Sequence, residues 1–232
     1  MAIEENAFSH SILFDGLSQD QLQFIKDHSR IKSYKPDTAV INQDDSGDTL
    51  YIIQSGIVKV SMGRPDGKEV FLAVLGRGDH FGELSLIDSE FRSANVVTQE
   101  ATTLMRIDRT TFDAMLETMP RFARNLCKCL AKRFRKGNER VGNLALMSVQ
   151  GLVAHHVMDF AQLYGQTQPN SPDIFIPIRL TQNDIADLVG ASRERVNQVM
   201  KTFKSNGSIS VNMKYRITVH SMSYLKRCID MQ

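Results

Sequence analysis

The chain has 232 residues, of which 42% are hydrophobic and 23% charged, and its formal net charge at pH 7 is +2. This composition is typical of a folded globular protein and excludes a disordered chain, and the length allows one large or two ordinary domains. No apolar run approaches the ~20 residues of a membrane span, and the N-terminus lacks the basic and apolar segments of a secretory signal. Three cysteines are too few for a disulfide framework. We therefore expect a cytoplasmic protein that makes no membrane contact.

The first half of the chain is rich in predicted strands. A short helix begins near Ser18 in SQDQLQFIKD, and residues 31–107 then carry β-branched and aromatic runs, namely LYIIQSG, IVKVSM, EVFLAVL, ANVV and TTLMRI. Glycines fall mostly at the ends of these runs, and RPDGKE (64–69) is a turn signal between two of them. Many short strands at this spacing predict an antiparallel barrel or roll.

Two opposite charges stand in one mostly apolar segment of this region, FGELSLIDSEFRSANV (81–96). Glu83 and Arg92 are nine residues apart, and a buried charge needs a partner because an unpaired one loses several kcal/mol of hydration. The two side chains could neutralise each other as a structural ion pair, or they could hold a ligand. The residues alone leave both interpretations open.

A long helix follows the strands. Pro120 is well placed at its start, and mostly apolar residues then recur at spacings of three and four (Ala123, Leu126, Leu130, Phe134, Gly137, Val141, Leu144). The pattern is close to a heptad seam, which favours pairing with a second copy of the chain over packing on its own domain. We therefore predict a dimerisation helix over 120–147.

His155, His156 and Asp159 fall in a further helical pattern between Leu146 and Tyr164. A metal site built from them would need a third well-placed ligand, and adjacent histidines point about 100° apart on a helix. We therefore expect structural or surface roles for these side chains and no bound metal.

The C-terminal segment LTQNDIADLVGASRERVNQVMKTFKSNGSISV (180–211) encodes two capped helices. Thr181 precedes the first, Gly190 separates them, Ser192 caps the second and Asn206-Gly207 ends it. Two short helices joined at a glycine predict a helix-turn-helix, although an ordinary helical hairpin has the same pattern. The strand-like runs SISV and KYRITVH favour a winged version of the motif.

The polar face of the second helix is suited to reading DNA bases. Arg pairs with guanine, Asn or Gln with adenine, and Glu with the cytosine amino group. From residue 179 onward, nine Lys or Arg stand against four acids, a local charge of +5 that is consistent with a polyanionic partner. The predicted DNA-binding residues are Thr181, Ser192, Arg193, Glu194, Asn197, Gln198 and Lys201.

Over residues 12–220 the chain resembles the CRP/FNR family of bacterial transcription regulators, and within it the cAMP receptor branch. The resemblance is carried by FGEL followed by RSA, by ERVGNLAL (139–146) and by GASRERVNQVM (190–200). It implies an α+β protein with an antiparallel, jelly-roll-like nucleotide-binding β-roll over 1–119, the dimerisation helix, and a winged helix-turn-helix over 148–232. It also implies a homodimer that binds an inverted repeat in double-stranded DNA and works with RNA polymerase.

The same resemblance assigns ligand-binding roles to the FGEL and RSA motifs. Arg92 and Ser93 hold a cyclic phosphate, the backbone N–H groups of Gly82 and Leu84 contribute to the same pocket, and Glu83 accepts a hydrogen bond from the ribose 2′-hydroxyl. The implied ligand is a cyclic nucleotide, with cAMP as the first choice. An iron–sulfur cluster is not expected because the N-terminus carries no cysteine cluster.

Three positions depart from the cAMP-binding pattern. Gly137 and Asn138 stand where those members carry a Thr-Ser pair that contacts adenine, and Ala73 replaces a serine of the same pocket. On the recognition helix, Gln198 replaces an arginine. A guanine ligand, cGMP or cyclic di-GMP, is therefore an alternative to cAMP, as is a ligand-independent regulator. An enzyme is not expected, since we find no nucleophile with a base and no phosphate loop with its lysine.

Overall fold

The computed structural model describes residues 8, 10–63, 69–167 and 171–230. The chain divides into two compact units, Met1–Lys136 and Gly137–Gln232. Residues 64–68 of the predicted RPDGKE turn lie outside the described residues. Within the described ranges no helix combines the length and the apolar character that a membrane crossing requires.

The N-terminal unit opens with a short 3₁₀ helix, Ile12–Phe14, and with helix α1, Gln19–Asp27. The predicted start near Ser18 is confirmed. The Ser18 hydroxyl accepts from the Gln21 backbone, and the Gln21 side chain accepts from the Ser18 backbone, so two otherwise unpaired N–H groups at the helix start are satisfied.

Eight strands form two four-stranded antiparallel sheets in this unit. One has the order β1-β8-β3-β6, built from Ser29–Tyr34, Thr102–Asp108, Thr49–Ser55 and His80–Phe81. The other has the order β2-β7-β4-β5, built from Ala39–Ile41, Asn95–Thr98, Val58–Gly63 and Glu69–Leu75. The predicted antiparallel roll is confirmed.

Strand β3 is buried on both faces, which explains its unbroken apolar run. Leu50 and Ile52 belong to a core cluster that includes residues of the surrounding helices, whereas Tyr51 and Ile53 belong to a second cluster, shared with residues of both sheets. A central strand covered on both sides has no need for polar alternation. The first residue of this strand, Thr49, contributes its backbone carbonyl to the candidate site described below.

Three helices complete the unit. The short α2 is Leu84–Ile87, and α3, Arg109–Thr118, is capped by Asp108. Helix α4 is Pro120–Leu146, so the helix predicted over 120–147 is confirmed. Phe122, Leu126 and Cys129 of α4 are buried in the helix-lined core cluster. The residues after Cys129 on α4 are half-buried or exposed.

The C-terminal unit contains the predicted winged helix-turn-helix. Helix α5, Val149–Tyr164, is followed by α6, Gln182–Val189, and α7, Arg193–Ser205. A four-stranded sheet has the order β11-β12-β10-β9, from Ile209–Val211, Ile217–Val219, Ile174–Phe175 and Gln166–Thr167. Helix α8, Met222–Asp230, has no counterpart among the predicted elements. The α+β class is confirmed.

Candidate functional site

The candidate ligand site begins at the turn between β6 and α2. Gly82 has a φ of 84°, in the left-handed region that favours glycine. A Cβ atom built on Gly82 would lie 2.7 Å from Arg92 Nη1 and 2.9 Å from the Thr49 carbonyl oxygen. Both the backbone conformation and the close approach of the guanidinium therefore require glycine in FGEL.

Arg92 is buried and makes three hydrogen bonds to neutral groups. Its Nη1 donates to the Gly82 carbonyl at 2.7 Å and to the Ser85 hydroxyl at 2.8 Å, and its Nη2 donates to the Thr49 carbonyl at 2.8 Å. Within the described part of the chain Arg92 forms no ion pair with a carboxylate. Burial lowers the pKa of the guanidinium, but arginine ionises so strongly that it stays cationic.

Glu83 pairs with a residue other than Arg92. Its Oε1 accepts from Arg133 Nη1 at 2.5 Å, and Arg133 Nη2 also donates to the His80 carbonyl. Glu83 is only 2% exposed, and its second oxygen, Oε2, has no hydrogen-bond partner among the described residues. The sequence left open a structural ion pair between Glu83 and Arg92. In the structure Glu83 pairs with Arg133 instead.

Sequence reasoning missed Arg133, although a signal for it exists. Phe122, Leu126 and Cys129 define the buried face of α4 at spacings of four and three, and Arg133 is the next position in that series. A cation in register with buried positions requires an anionic or polar partner beneath it. Here that partner is Glu83.

The site as a whole carries an excess of positive charge. It holds the guanidinium groups of Arg92 and Arg133 and the carboxylate of Glu83, and the charge of Asp48 also acts on Arg92. A third cation, Arg109, donates to the carbonyls of Gly47, Ser85 and Leu86 around the same turn. With Arg109 the cations still outnumber the carboxylates, and a partly buried group of side chains with this balance binds an anion favourably, because the anion compensates the excess positive charge.

The other predicted ligand residues lie on helices α2 and α4 or directly after Arg92. Leu84 is the first residue of α2, where backbone N–H groups lack helical acceptors. Ser93 is exposed and directly follows Arg92. Gly137 and Asn138 are exposed residues of α4, and a Cβ built on Gly137 would meet nothing within 4 Å.

The candidate DNA interface lies on α6 and α7. Thr181 and Ser192 cap these helices through their hydroxyls, which accept from the backbones of Asp184 and Arg195, and Gly190 between them has a φ of 62°. The helix starts and the break predicted from the sequence are confirmed. The left-handed Gly190 and the Ser192 cap fix the turn between the helices, and the Thr181 cap fixes the start of α6.

The α7 residues predicted to contact DNA differ in how exposed their side chains are. Val196, Met200 and Phe203 of α7 are buried, while the opposite side presents Arg193, Glu194, Gln198 and Lys201 to solvent. Asn197 differs because it is half-buried, and its Oδ1 accepts from Gln182 Nε2 at 2.9 Å. Asn197 therefore links the two helices of the motif.

Comparisons with known proteins identify both domains. A cyclic nucleotide-binding domain matches residues 31–119, and a Crp-like helix-turn-helix domain matches residues 153–228. The CRP-like cAMP-activated global transcriptional regulator of Mycobacterium tuberculosis is 31% identical over 202 residues, which cover 87% of this chain and 89% of that protein. The chain belongs to the CRP/FNR family.

Two further relatives support this CRP/FNR assignment. The cAMP-activated global transcriptional regulator CRP of Salmonella typhimurium is 31% identical over 195 residues, covering 83% of this chain and 91% of that protein. The structure of the c-di-GMP responsive global regulator CLP of Xanthomonas campestris has a TM-score of 0.73 at 23% identity and covers 88% of this chain and 100% of that one, which shows the shared fold. The protein is a DNA-binding transcription regulator with a cyclic-nucleotide-binding domain. The prediction that it is not an enzyme is confirmed by its relatives, which are transcriptional regulators.

Proposed function

We propose that the protein is a homodimeric, cytoplasmic transcription regulator that is switched by a cyclic nucleotide, cAMP in first place, bound in the N-terminal unit. The observation that carries the proposal is the buried Arg92 guanidinium, whose hydrogen bonds within the described ranges all go to neutral acceptors. A cyclic phosphate supplies the missing negative charge, with Ser93 and the N–H groups of Gly82 and Leu84 as further donors. The unpartnered Oε2 of Glu83 accepts from the ribose 2′-hydroxyl.

The second element of the proposal is a symmetric dimer formed through α4. Phe134 is 70% exposed, Val141 is 69% exposed and Leu144 is 40% exposed. Their spacings of seven and three are those of a coiled-coil seam, and an exposed apolar stripe of this kind gains stability when a second copy covers it. Gly137 lies between them on the same seam.

The third element is an inverted-repeat DNA site. Two α7 helices related by a dimer axis read symmetric half-sites about 34 Å apart. Arg193, Glu194 and Gln198 face the base edges, Lys201 and the capping residues Thr181 and Ser192 face the phosphates, and Asn197 supports this face through Gln182. Binding should weaken steeply with salt because cations displace condensed counterions. Bound to DNA, the dimer would act on RNA polymerase.

A guanine ligand is the second candidate for the switch. Asn138 carries both a donor and an acceptor and can pair with a guanine edge as readily as with adenine, while Gly137 leaves open space beside it. The structural relative from Xanthomonas campestris, described as c-di-GMP responsive, makes this alternative worth testing. Calorimetric competition among cAMP, cGMP and cyclic di-GMP distinguishes the ligands. Tight binding of cAMP alone that Asn138→Ala leaves unchanged excludes the guanine alternative.

The nucleotide site itself is tested by Arg92→Leu, measured by titration calorimetry with each nucleotide. Loss of a charge-assisted contact of about 1.5–3 kcal/mol should weaken affinity by roughly 10- to 150-fold. Arg121→Leu is the control, since Arg121 also donates to a backbone carbonyl, that of Asp15, but belongs to no part of the site. It should change melting temperature more than affinity. Equal affinity of Arg92→Leu and the unmodified protein would refute the site.

A further inference from the structure

The face of α5 that carries two adjacent histidines also carries an aspartate. The nitrogen and oxygen donor atoms of His155, His156 and Asp159 all lie within 4.8 Å of one another. From the sequence we expected no bound metal here, because adjacent histidines diverge and a third well-placed ligand was required. In the folded helix the Asp159 carboxylate lies close to both imidazole rings.

The helix geometry explains how the three side chains converge. Successive residues of an α-helix are rotated by about 100°, so His155 and His156 diverge by that angle. Asp159, four residues after His155, lies about 40° from it and therefore between the two histidines in projection. It is also within one turn of both, at i+4 from one and i+3 from the other. A carboxylate in this position can contact the same ion as both imidazole rings.

The contacts around the cluster orient its donors. His155 Nδ1 lies 3.5 Å from Asp159 Oδ2, close to the roughly 3.3 Å that separates two ligands of a tetrahedral zinc ion. The other ring nitrogen of His155 lies 3.5 Å from Asn143 Nδ2. His156 lies against the Phe160 ring and hydrogen-bonds to the backbone of Leu188 at the end of α6. The Leu188 contact is an outer hydrogen bond of the kind that fixes the ring orientation of a metal-binding histidine. The Asn143 amide nitrogen is a donor, so its amide group must turn to present its oxygen to Nε2–H when His155 Nδ1 binds an ion.

We propose that His155, His156 and Asp159 form a site for one divalent transition-metal ion, with zinc as the preferred occupant. Two imidazole nitrogens and one carboxylate are donors that suit Zn²⁺, Co²⁺, Ni²⁺ and Cu²⁺, whereas Mg²⁺ and Ca²⁺ prefer oxygen ligands alone. Three protein ligands leave a fourth position for water. The half-exposed Asp159 gives an ion access from solvent.

The charges that face the cluster are compatible with this proposal. Arg140 is the opposing cation, but its guanidinium donates to the Asp187 and Leu188 carbonyls at the end of α6. Because His156 also bonds to Leu188, an ion on His156 would stiffen the junction between α5 and the helix-turn-helix.

The site is tested on the full-length protein after removal of metals with a chelator. Titration with Co²⁺, followed by its visible absorption, should show one ion per chain, and Zn²⁺ should displace it. His155→Gln and Asp159→Asn should each weaken Co²⁺ binding by at least about tenfold. His220→Gln is the matched control, because His220 also pairs with an aspartate, Asp173, at 2.9 Å. It should bind Co²⁺ like the unmodified protein.

Two results would overturn the proposal. One is absence of Co²⁺ and Zn²⁺ binding at micromolar concentration. The other is binding that neither His155→Gln nor Asp159→Asn weakens, which would place the ion elsewhere on the protein. Circular dichroism of the metal-free variants checks that each is folded, and since both changed side chains are partly exposed, either variant can decide the outcome if the other unfolds.

Discussion

The two functional regions of this protein handle their charges in opposite ways. In the N-terminal unit, Glu83 and Arg92 are almost fully buried, and their partners come from residues as far away in sequence as Thr49 and Arg133. On α7, Arg193 and Gln198 are exposed and their placement depends on one helix. Buried charges are costly to leave unpaired, while exposed ones contribute little to folding.

This difference teaches where a substitution should act. Changes in the buried set should alter both folding stability and ligand affinity, because the same contacts hold the turn and shape the pocket. Changes on the exposed face of α7 should alter DNA binding and leave stability nearly unchanged. Four measurements test this contrast, from the largest expected effect to the smallest.

The largest effect on the free energy of unfolding is expected when the ion pair between Glu83 and Arg133 is broken. Arg133→Gln should lower the free energy of unfolding by about 3 kcal/mol, because it leaves a buried carboxylate without its cation. The double variant Glu83→Gln, Arg133→Gln should lose less than the sum of the single changes. Lys132→Gln, an exposed neighbour on α4, is the control. Urea unfolding gives these values, and additive losses would show that the pair is not coupled.

The second test uses pH. Burial, and secondarily Arg133, lowers the pKa of His80 to about 3, against about 6.5 for an unfolded histidine. Below pH 6.5 His80 becomes protonated in the unfolded chain but stays neutral in the folded protein. Because of this difference, the free energy of unfolding should fall by about 2 kcal/mol between pH 6.5 and 5. His156 should add a similar loss in the same direction.

His80→Gln should remove the contribution of His80 to this loss, whereas the exposed His10→Gln should not. Urea midpoints measured at several pH values provide the comparison. An unchanged pH profile in His80→Gln would mean that His80 titrates normally in the folded protein.

The third test addresses base readout by the exposed face. Gln pairs best with adenine, so the half-site should carry adenine where family members with arginine at this position select guanine. Selection from random DNA should show the preference, and Gln198→Ala should reduce it by about 1–2 kcal/mol with no change in unfolding. A preference that survives Gln198→Ala would assign the readout to another residue.

The smallest effect is expected at Gly137. A glycine inside a helix lowers stability by about 1 kcal/mol relative to alanine. A Cβ atom added at Gly137 would have no neighbouring atom within 4 Å. Gly137→Ala should therefore raise the melting temperature by a few degrees. If the open space is needed by a partner helix or a nucleotide, the same variant should weaken dimerisation or ligand binding, which analytical ultracentrifugation and calorimetry would detect.

The sequence by itself determined the elements whose signals are local. The caps at Ser18, Thr181 and Ser192 and the break at Gly190 depend on residues within one helical turn, and each lies where it was predicted. The antiparallel roll and the long α4 helix followed from the strand-like runs and the later change of hydrophobic period, since each period describes one kind of element, while the α+β class was implied by the family resemblance.

Only the tertiary structure decided which charges meet. Glu83 pairs with Arg133, fifty residues later, and Arg92 reaches the Thr49 carbonyl, forty-three residues earlier. Such partners depend on how sheets and helices pack, which spacing along the chain does not specify. The convergence of His155, His156 and Asp159 has a related explanation: all three residues could be named from the sequence, but the distances between their donor atoms depend on the side-chain directions of the folded helix.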